Sequence, residues 1–192
     1  TSIGDGAFSD CSSLTNITIP DSVTSIGAAA FYSCKGLTSI EVGAGNVNYM
    51  EFDGILFNTE KTVLHTYPAG KTGANYNIPD GVTSIGSYAF KGCTSLTSIT
   101  IPDGVTSIRR SAFSVCTSLT SITIPDGVTS IGEYAFYNCN SLTSITFGNG
   151  VTSIGERAFR DCNSLSAVTF LGDPPKAGES VFSASIDGRS VS

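Results

Sequence analysis

Tryptophan is absent from the 192 residues, histidine and methionine occur once each, and only 14% of positions are charged. A chain so poor in charge cannot cover itself with ion pairs, so its abundant Ser, Thr and Gly must build the solvent face. The net charge of −6 and the pI near 4.6 oppose attraction to phosphate backbones or anionic lipid, which need clustered Lys and Arg. Arg109 and Arg110 form the adjacent basic pair and read as a solvated corner. No nucleic-acid partner is expected. No apolar run approaches the ~18 residues that span a bilayer, which argues against direct membrane insertion. The opening TSIGDGAF has neither a basic start nor an apolar signal core.

What is present is repetition. IPDGVTSIG begins at Ile78, Ile101 and Ile124, with IPDSVTSIG at Ile19 and FGNGVTSIG at Phe147, mostly at a step of 23. The motif AFxxC keeps that step: Phe90, Phe113, Phe136 and Phe159 are each followed by Cys93, Cys116, Cys139 and Cys162, and Phe8–Cys11 and Phe31–Cys34 form an earlier pair. A fixed period of this size signals a stacked repeat architecture. Within one lap, SLTSITIP carries LxxIxI spacing, so Ile122 and Ile124 alternate inward around outward Thr123, as a short strand requires. AFxxC places inward residues three apart, which suits one helical or 3₁₀ turn, and PDG supplies turn chemistry at the strand end. About eight buried side chains at roughly 1.5–3 kcal/mol each do not clearly exceed the ordering cost of a lap, so neighbours must stack.

These residues resemble the BspA-like leucine-rich repeats of bacterial surface proteins, whose repeat reads much like AFxxCxSLTSITIPDGVTSIG. The expected fold is a leucine-rich-repeat solenoid of 23-residue laps. It has one parallel sheet on the concave face, short helical or 3₁₀ turns and extended segments elsewhere, in a single domain over residues 1–192. The resemblance implies an extracellular or cell-surface setting and adhesion to a host-matrix or cell-surface protein or glycan. The alternative is a passive spacer or stalk in a larger surface protein.

One lap departs from the period. The strand-end residues fall at Ile19, Val42, Ile78, Ile101, Ile124, Phe147 and Phe170, so the interval from Val42 to Ile78 is 36 residues. Within this irregular lap, residues 43–77, the runs Ile55 to Phe57 and Thr62 to Tyr67 flank NTEK and read as a β-hairpin. It is expected to take the place of AFxxC and to project from the convex side.

Six cysteines in a secreted chain ordinarily suggest disulfides. Equivalent positions on adjacent laps, however, lie about 4.8 Å apart with parallel side chains, beyond the ~3.8 Å Cβ separation of a bridge. A ladder of buried thiols is expected, with Cys116→Ser destabilising by placing a hydroxyl without a reliable partner in an apolar row. Stacked thiols do not converge on a metal, and the Asp80, Asp103 and Asp126 row lacks the clustered oxygens of a calcium loop. His65 has no triad partners in view, and Ser95, Ser118, Ser141 and Ser164 recur by lap as structural positions do. No catalytic residue, metal or cofactor is expected, and the chain reads as a non-enzyme.

The remaining candidate surface is the concave sheet. Its outward positions are Asn16 and Thr18, Ser39 and Glu41, Ser98 and Thr100, Ser121 and Thr123, Ser144 and Thr146, then Ala167 and Thr169. Repeat proteins bind extended partners on such faces. TSIG opens the chain but later recurs inside a lap, so a longer natural chain is expected. An uncovered end at Ile3, Phe8 and Leu14 is expected to favour weak end-to-end self-association. At the other end LGDPPKAGESVF marks residues 171–192 as a terminal or departing lap, with Ser185 at the next Cys position.

Overall fold

The computed structural model describes residues 1–186 and 189–191, with side chains described through residue 183. Residues 187, 188 and 192 of the expected departing lap, and the side chain of Ser185, lie outside the described residues.

Each regular lap has three sides. The SLTSITI segment forms the first, a strand whose Ile residues point inward and whose Ser and Thr point outward, as in Ser121–Ile124. Parallel pairing holds these strands at a 23-residue register: Ser121 opposes Ser144 and then Ala167, while Asn16 opposes Ser39. The TSI segment forms the second side as a two-residue strand. Ser84–Ile85, Ser107–Ile108, Ser130–Ile131, Ser153–Ile154 and Lys176–Ala177 pair in parallel along a second sheet.

The third side corrects the expectation of helical or 3₁₀ turns, for no helix of either kind occurs among the described residues. The AFxxC segment instead alternates its hydrogen bonds. In the lap of Phe113, Ala112, Ser114 and Cys116 donate locally to Arg109, Ser111 and Phe113, whereas Ser111, Phe113 and Val115 donate to Glu133, Ala135 and Tyr137 of the next lap. A 3₁₀ helix would use consecutive local donors, but here every second amide is claimed by a neighbour. Two left-handed residues four apart impose this path, Ser111 at φ 52° and Val115 at φ 63°, and the same pair recurs as Tyr134 and Asn138 and as Arg157 and Asp161.

The Gly of VTSIG sets the stacking distance. A Cβ on Gly155 would stand 2.5 Å from the Glu133 amide nitrogen and 2.6 Å from the Gly132 carbonyl carbon. Arg109 occupies this position in its own lap, and its amide reaches Ile85 at 3.1 Å, against 2.8 Å for Gly132 to Ile108 and 2.7 Å for Gly155 to Ile131. A side chain here is accommodated by lifting the lap a few tenths of an ångström.

Inside, like residues stack on like. Phe90, Phe113, Phe136 and Phe159 form a ring column with centroids 5.0, 5.0 and 4.9 Å apart, close to the strand spacing. Tyr67 takes the Phe position in the irregular lap, 5.1 Å from Phe90.

The hairpin does not project, contrary to expectation. Its strands, Ile55–Asn58 and Val63–Thr66, join a preceding strand Tyr49–Phe52 in an antiparallel meander, and Val63–Thr66 pairs in parallel with Ser84–Ile85. The meander therefore continues the second sheet. Ile55, Leu56 and Phe57 are all fully buried because the strand is covered on both faces. Leu56 packs with the core of the first two laps, and Ile55 and Phe57 pack with the core of the later ones.

Candidate functional site

The outward strand positions are exposed at Asn16, Thr18, Glu41, Ser98, Thr100, Ser121, Thr123, Ala167 and Thr169, and half-buried at Ser39, Ser144 and Thr146. Inward neighbours Ile99, Ile122, Ile124 and Ile145 anchor the strands in the core, which fixes the direction of each hydroxyl. Threonines at the strand entry add a second row of contacts. The Oγ1 of Thr97, Thr120 and Thr143 each donates to the carbonyl of the preceding lap at 3.0–3.2 Å. Those hydroxyls are engaged in stacking, whereas Thr100 and Thr123 lie on the open face.

These positions do not form one continuous surface. Beside Ser39–Val42 stands the turn that joins Tyr49–Phe52 to Ile55–Asn58, with the Ile40 amide donating to the Gly54 carbonyl at 2.9 Å. Asn16, Thr18, Ser39 and Glu41 thus make one patch, tied by a Thr18 hydroxyl donating to Glu41 at 3.1 Å. The later laps make a second patch, which Asn75 and Asn77 extend by pairing with Ser98 and Thr100. Sequence reasoning missed these two asparagines because their lap lacks the SLTSIT string, although their distance from Ile78 matches that of Ser98 and Thr100 from Ile101.

The second patch contains a groove of about 490 Å³. Ser98, Thr100, Ser121 and Thr123 line it, Pro125 and Leu171 give it apolar contact, and Asp103 and Asp126 stand at its edge. The Asp126 carboxylate accepts the Asn149 amide at 2.8 Å, as Asp21 accepts Gly45 at 3.0 Å and Asp5 accepts Ala28 at 2.7 Å. Asp21 and Asp126, at equivalent positions of their laps, are thus turn caps reaching into the next lap. Among the described residues no group of three or more His, Cys, Asp or Glu is placed to hold a metal ion.

All six cysteines are free thiols. Cys34, Cys93, Cys116 and Cys139 are buried and Cys162 is half-buried, but Cys11 is exposed, which departs from a fully buried ladder. The expected absence of a partner for a hydroxyl at Cys116 is also corrected, since its thiol donates to the Phe90 carbonyl at 3.1 Å. Cys139 and Cys162 repeat the contact to Phe113 and Phe136 at 3.2 and 3.1 Å. Burial pushes the Cys116 thiol up to about 12, and raises Cys93 and Cys139 well above the usual thiol range. These three buried thiols are not activated nucleophiles. His65 lies in the meander, its Nδ1 2.8 Å from the Thr66 hydroxyl, and burial lowers its pKa from 6.5.

The match to a family model for BspA-type leucine-rich repeats covers residues 1–60 and 70–187 in six copies, and the chain belongs to that family. A leucine-rich repeat protein from Eubacterium ventriosum is similar in structure, with TM-score 0.76, 35% identity, and 88% of this chain and 52% of that one covered. A leucine-rich cell surface protein from Faecalibacterium prausnitzii matches with TM-score 0.69 and 31% identity, over 90% of this chain and 52% of that one. The pneumococcal vaccine antigen PcpA matches with TM-score 0.66 and 25% identity, over 84% of this chain and 46% of that one. The chain thus spans about half the length of these structures. No curated protein sequence matches it.

Proposed function

We propose that the chain is a non-catalytic binding module of an extracellular or cell-surface protein, engaging a protein or glycan through the strand face of its later laps. The observation that carries this reading is the groove over Ser98, Thr100, Ser121 and Thr123, where hydroxyls project at lap spacing from strands fixed by buried isoleucines. A shallow face of neutral hydroxyls suits many weak hydrogen bonds to an extended partner better than capture of a small charged metabolite. Family membership, and likeness to a cell surface protein of Faecalibacterium prausnitzii, support the setting.

The second reading is a spacer, favoured by the way repeated Thr, Asp and Cys side chains serve lap-to-lap contacts. Screening the protein against immobilised matrix proteins and neutral glycans separates the two. Saturable binding supports the module. Absence of binding across the screen supports the spacer.

A further inference from the structure

The turns at Phe8, Phe90, Phe113, Phe136 and Phe159 each donate three alternate amides forward. Gly6, Phe8 and Asp10 reach Ala28, Ala30 and Tyr32, and Tyr88, Phe90 and Gly92 reach Arg110, Ala112 and Ser114. In the second lap the equivalent amides of Ala29, Phe31 and Ser33 find no protein acceptor, although Phe31 is only 6% exposed. Facing them is the segment around Tyr67, which keeps its own forward bond to Ala89 at 2.8 Å. The ring column also breaks here: Phe8 stacks on Phe31 and Tyr67 on Phe90, but Phe31 and Tyr67 make no ring contact. The two hydrophobic clusters meet across the same line.

This seam is held at its rims. The Ile26 amide donates to the Tyr49 hydroxyl at 2.9 Å, Gly70 to the Leu37 carbonyl at 2.8 Å and Ile40 to the Gly54 carbonyl at 2.9 Å. Lys91 Nζ lies 3.8 Å from the Tyr32 ring centroid. Between the rims sits His65, with a cavity of about 180 Å³ shared with Arg109 on one side and one of about 20 Å³ shared with Lys91 on the other. Its imidazole hydrogen-bonds the Ile26 backbone and the Thr66 hydroxyl and meets the Tyr49 ring edge-on at 5.6 Å.

The ionisable groups facing this ring are Tyr49 from the meander, Tyr67 beyond its own strand, Tyr32 from the second lap, Tyr88 and Lys91 from the lap of Phe90, and Arg109 from the lap of Phe113. No carboxylate lines either cavity; Asp10 bears on Lys91 instead. An imidazolium would therefore be partly desolvated, with no carboxylate lining either cavity to serve as its counter-charge.

We infer that the first two laps part from the meander along this seam, and that a proton on His65 drives the seam open. Opening hydrates the imidazolium and the three unpaired amides together, and it also uncovers Leu56, which packs with the core of the first two laps. The sign follows from burial, which places the folded-state pKa below 6.5. The closed seam is favoured above about pH 6.5 and weakens as pH falls towards the folded-state value, by about tenfold for each unit separating the two.

Hydrogen exchange read as protection factors at pH 7.5 and 5.5 tests this on the intact chain. The rim amides of Ile26, Ile40 and Gly70 are expected to lose protection on acidification, while Phe113 and Phe136 keep theirs. His65→Gln, which retains a donor for Ile26 without a charge, is expected to abolish the pH dependence. Uniform loss across both sets, or persistence in the variant, overturns the inference. If His65→Gln does not fold, NMR titration of His65 in the parent decides: a pKa at or above 6.5 overturns it, and a lower one coinciding with the loss of rim protection sustains it.

Discussion

The thiol of Cys116 and the carbonyl of Phe90, in successive laps, meet at 3.1 Å, and the same carbonyl also accepts the Cys93 amide at 3.1 Å. One oxygen thus closes a local turn and ties it to the next lap. Cys116→Ala, which loses both donor and volume, is expected to cost about 1–3 kcal/mol, and Cys116→Ser less because its hydroxyl can still donate. Denaturant unfolding of both variants checks this. A serine variant as unstable as the alanine one would show that the contact contributes nothing.

Thiol accessibility follows burial. A thiol reagent at neutral pH should label Cys11 quickly and Cys93, Cys116 and Cys139 slowly, with all six cysteines reacting after unfolding. The raised thiol pKa values also make stability alkali-sensitive. The unfolded chain ionises near 9, and Cys116 when folded at about 12, so stability is fully present below pH 9 and declines as pH rises through that window. A flat stability profile from pH 9 to 11 would contradict the assigned burial.

Val115 is a β-branched residue held at φ 63°, where its counterpart one lap on is Asn138 at φ 58°. Left-handed backbone costs an ordinary residue roughly 1–2 kcal/mol, and asparagine less. Val115→Asn should therefore raise stability by about 1 kcal/mol, visible as a higher denaturation midpoint at unchanged slope. A lower midpoint would mean that Val115 contributes packing exceeding its strain.

Gly155→Ala tests the stacking column. With backbone of the preceding lap within 2.6 Å of the added carbon, the laps must separate, and a loss of about 1–3 kcal/mol is expected. The 3.1 Å bond at Arg109 shows the available relief. Unchanged stability would indicate that the column tolerates side chains freely.

The lap period, the inward isoleucines and the hairpin strands were legible because each has a spacing of its own. The Phe turn was not, since Phe and Cys three apart suit a helical turn and the observed alternating one equally. What distinguishes them is the left-handed pair, and Ser111, Val115, Tyr134 and Arg157 give no residue-type signal for it. The hairpin's placement is marked in the sequence by Ile55, Leu56 and Phe57, consecutive apolar residues that a projecting strand with one wet face would not carry. Asn75 and Asn77 joined the strand face through position alone, without a repeat string to mark them.

The binding role of the strand face is tested most directly by the affinity of the combined Thr100→Lys, Thr123→Lys and Thr146→Lys variant for any partner found by screening. Each substitution sits outside the core, so stability should stay within about 0.5 kcal/mol per site. The account predicts a loss of affinity of at least about tenfold, or 1.4 kcal/mol, in the triple variant at matched stability. Unchanged affinity in a folded triple variant would contradict it and move the binding surface away from these strands.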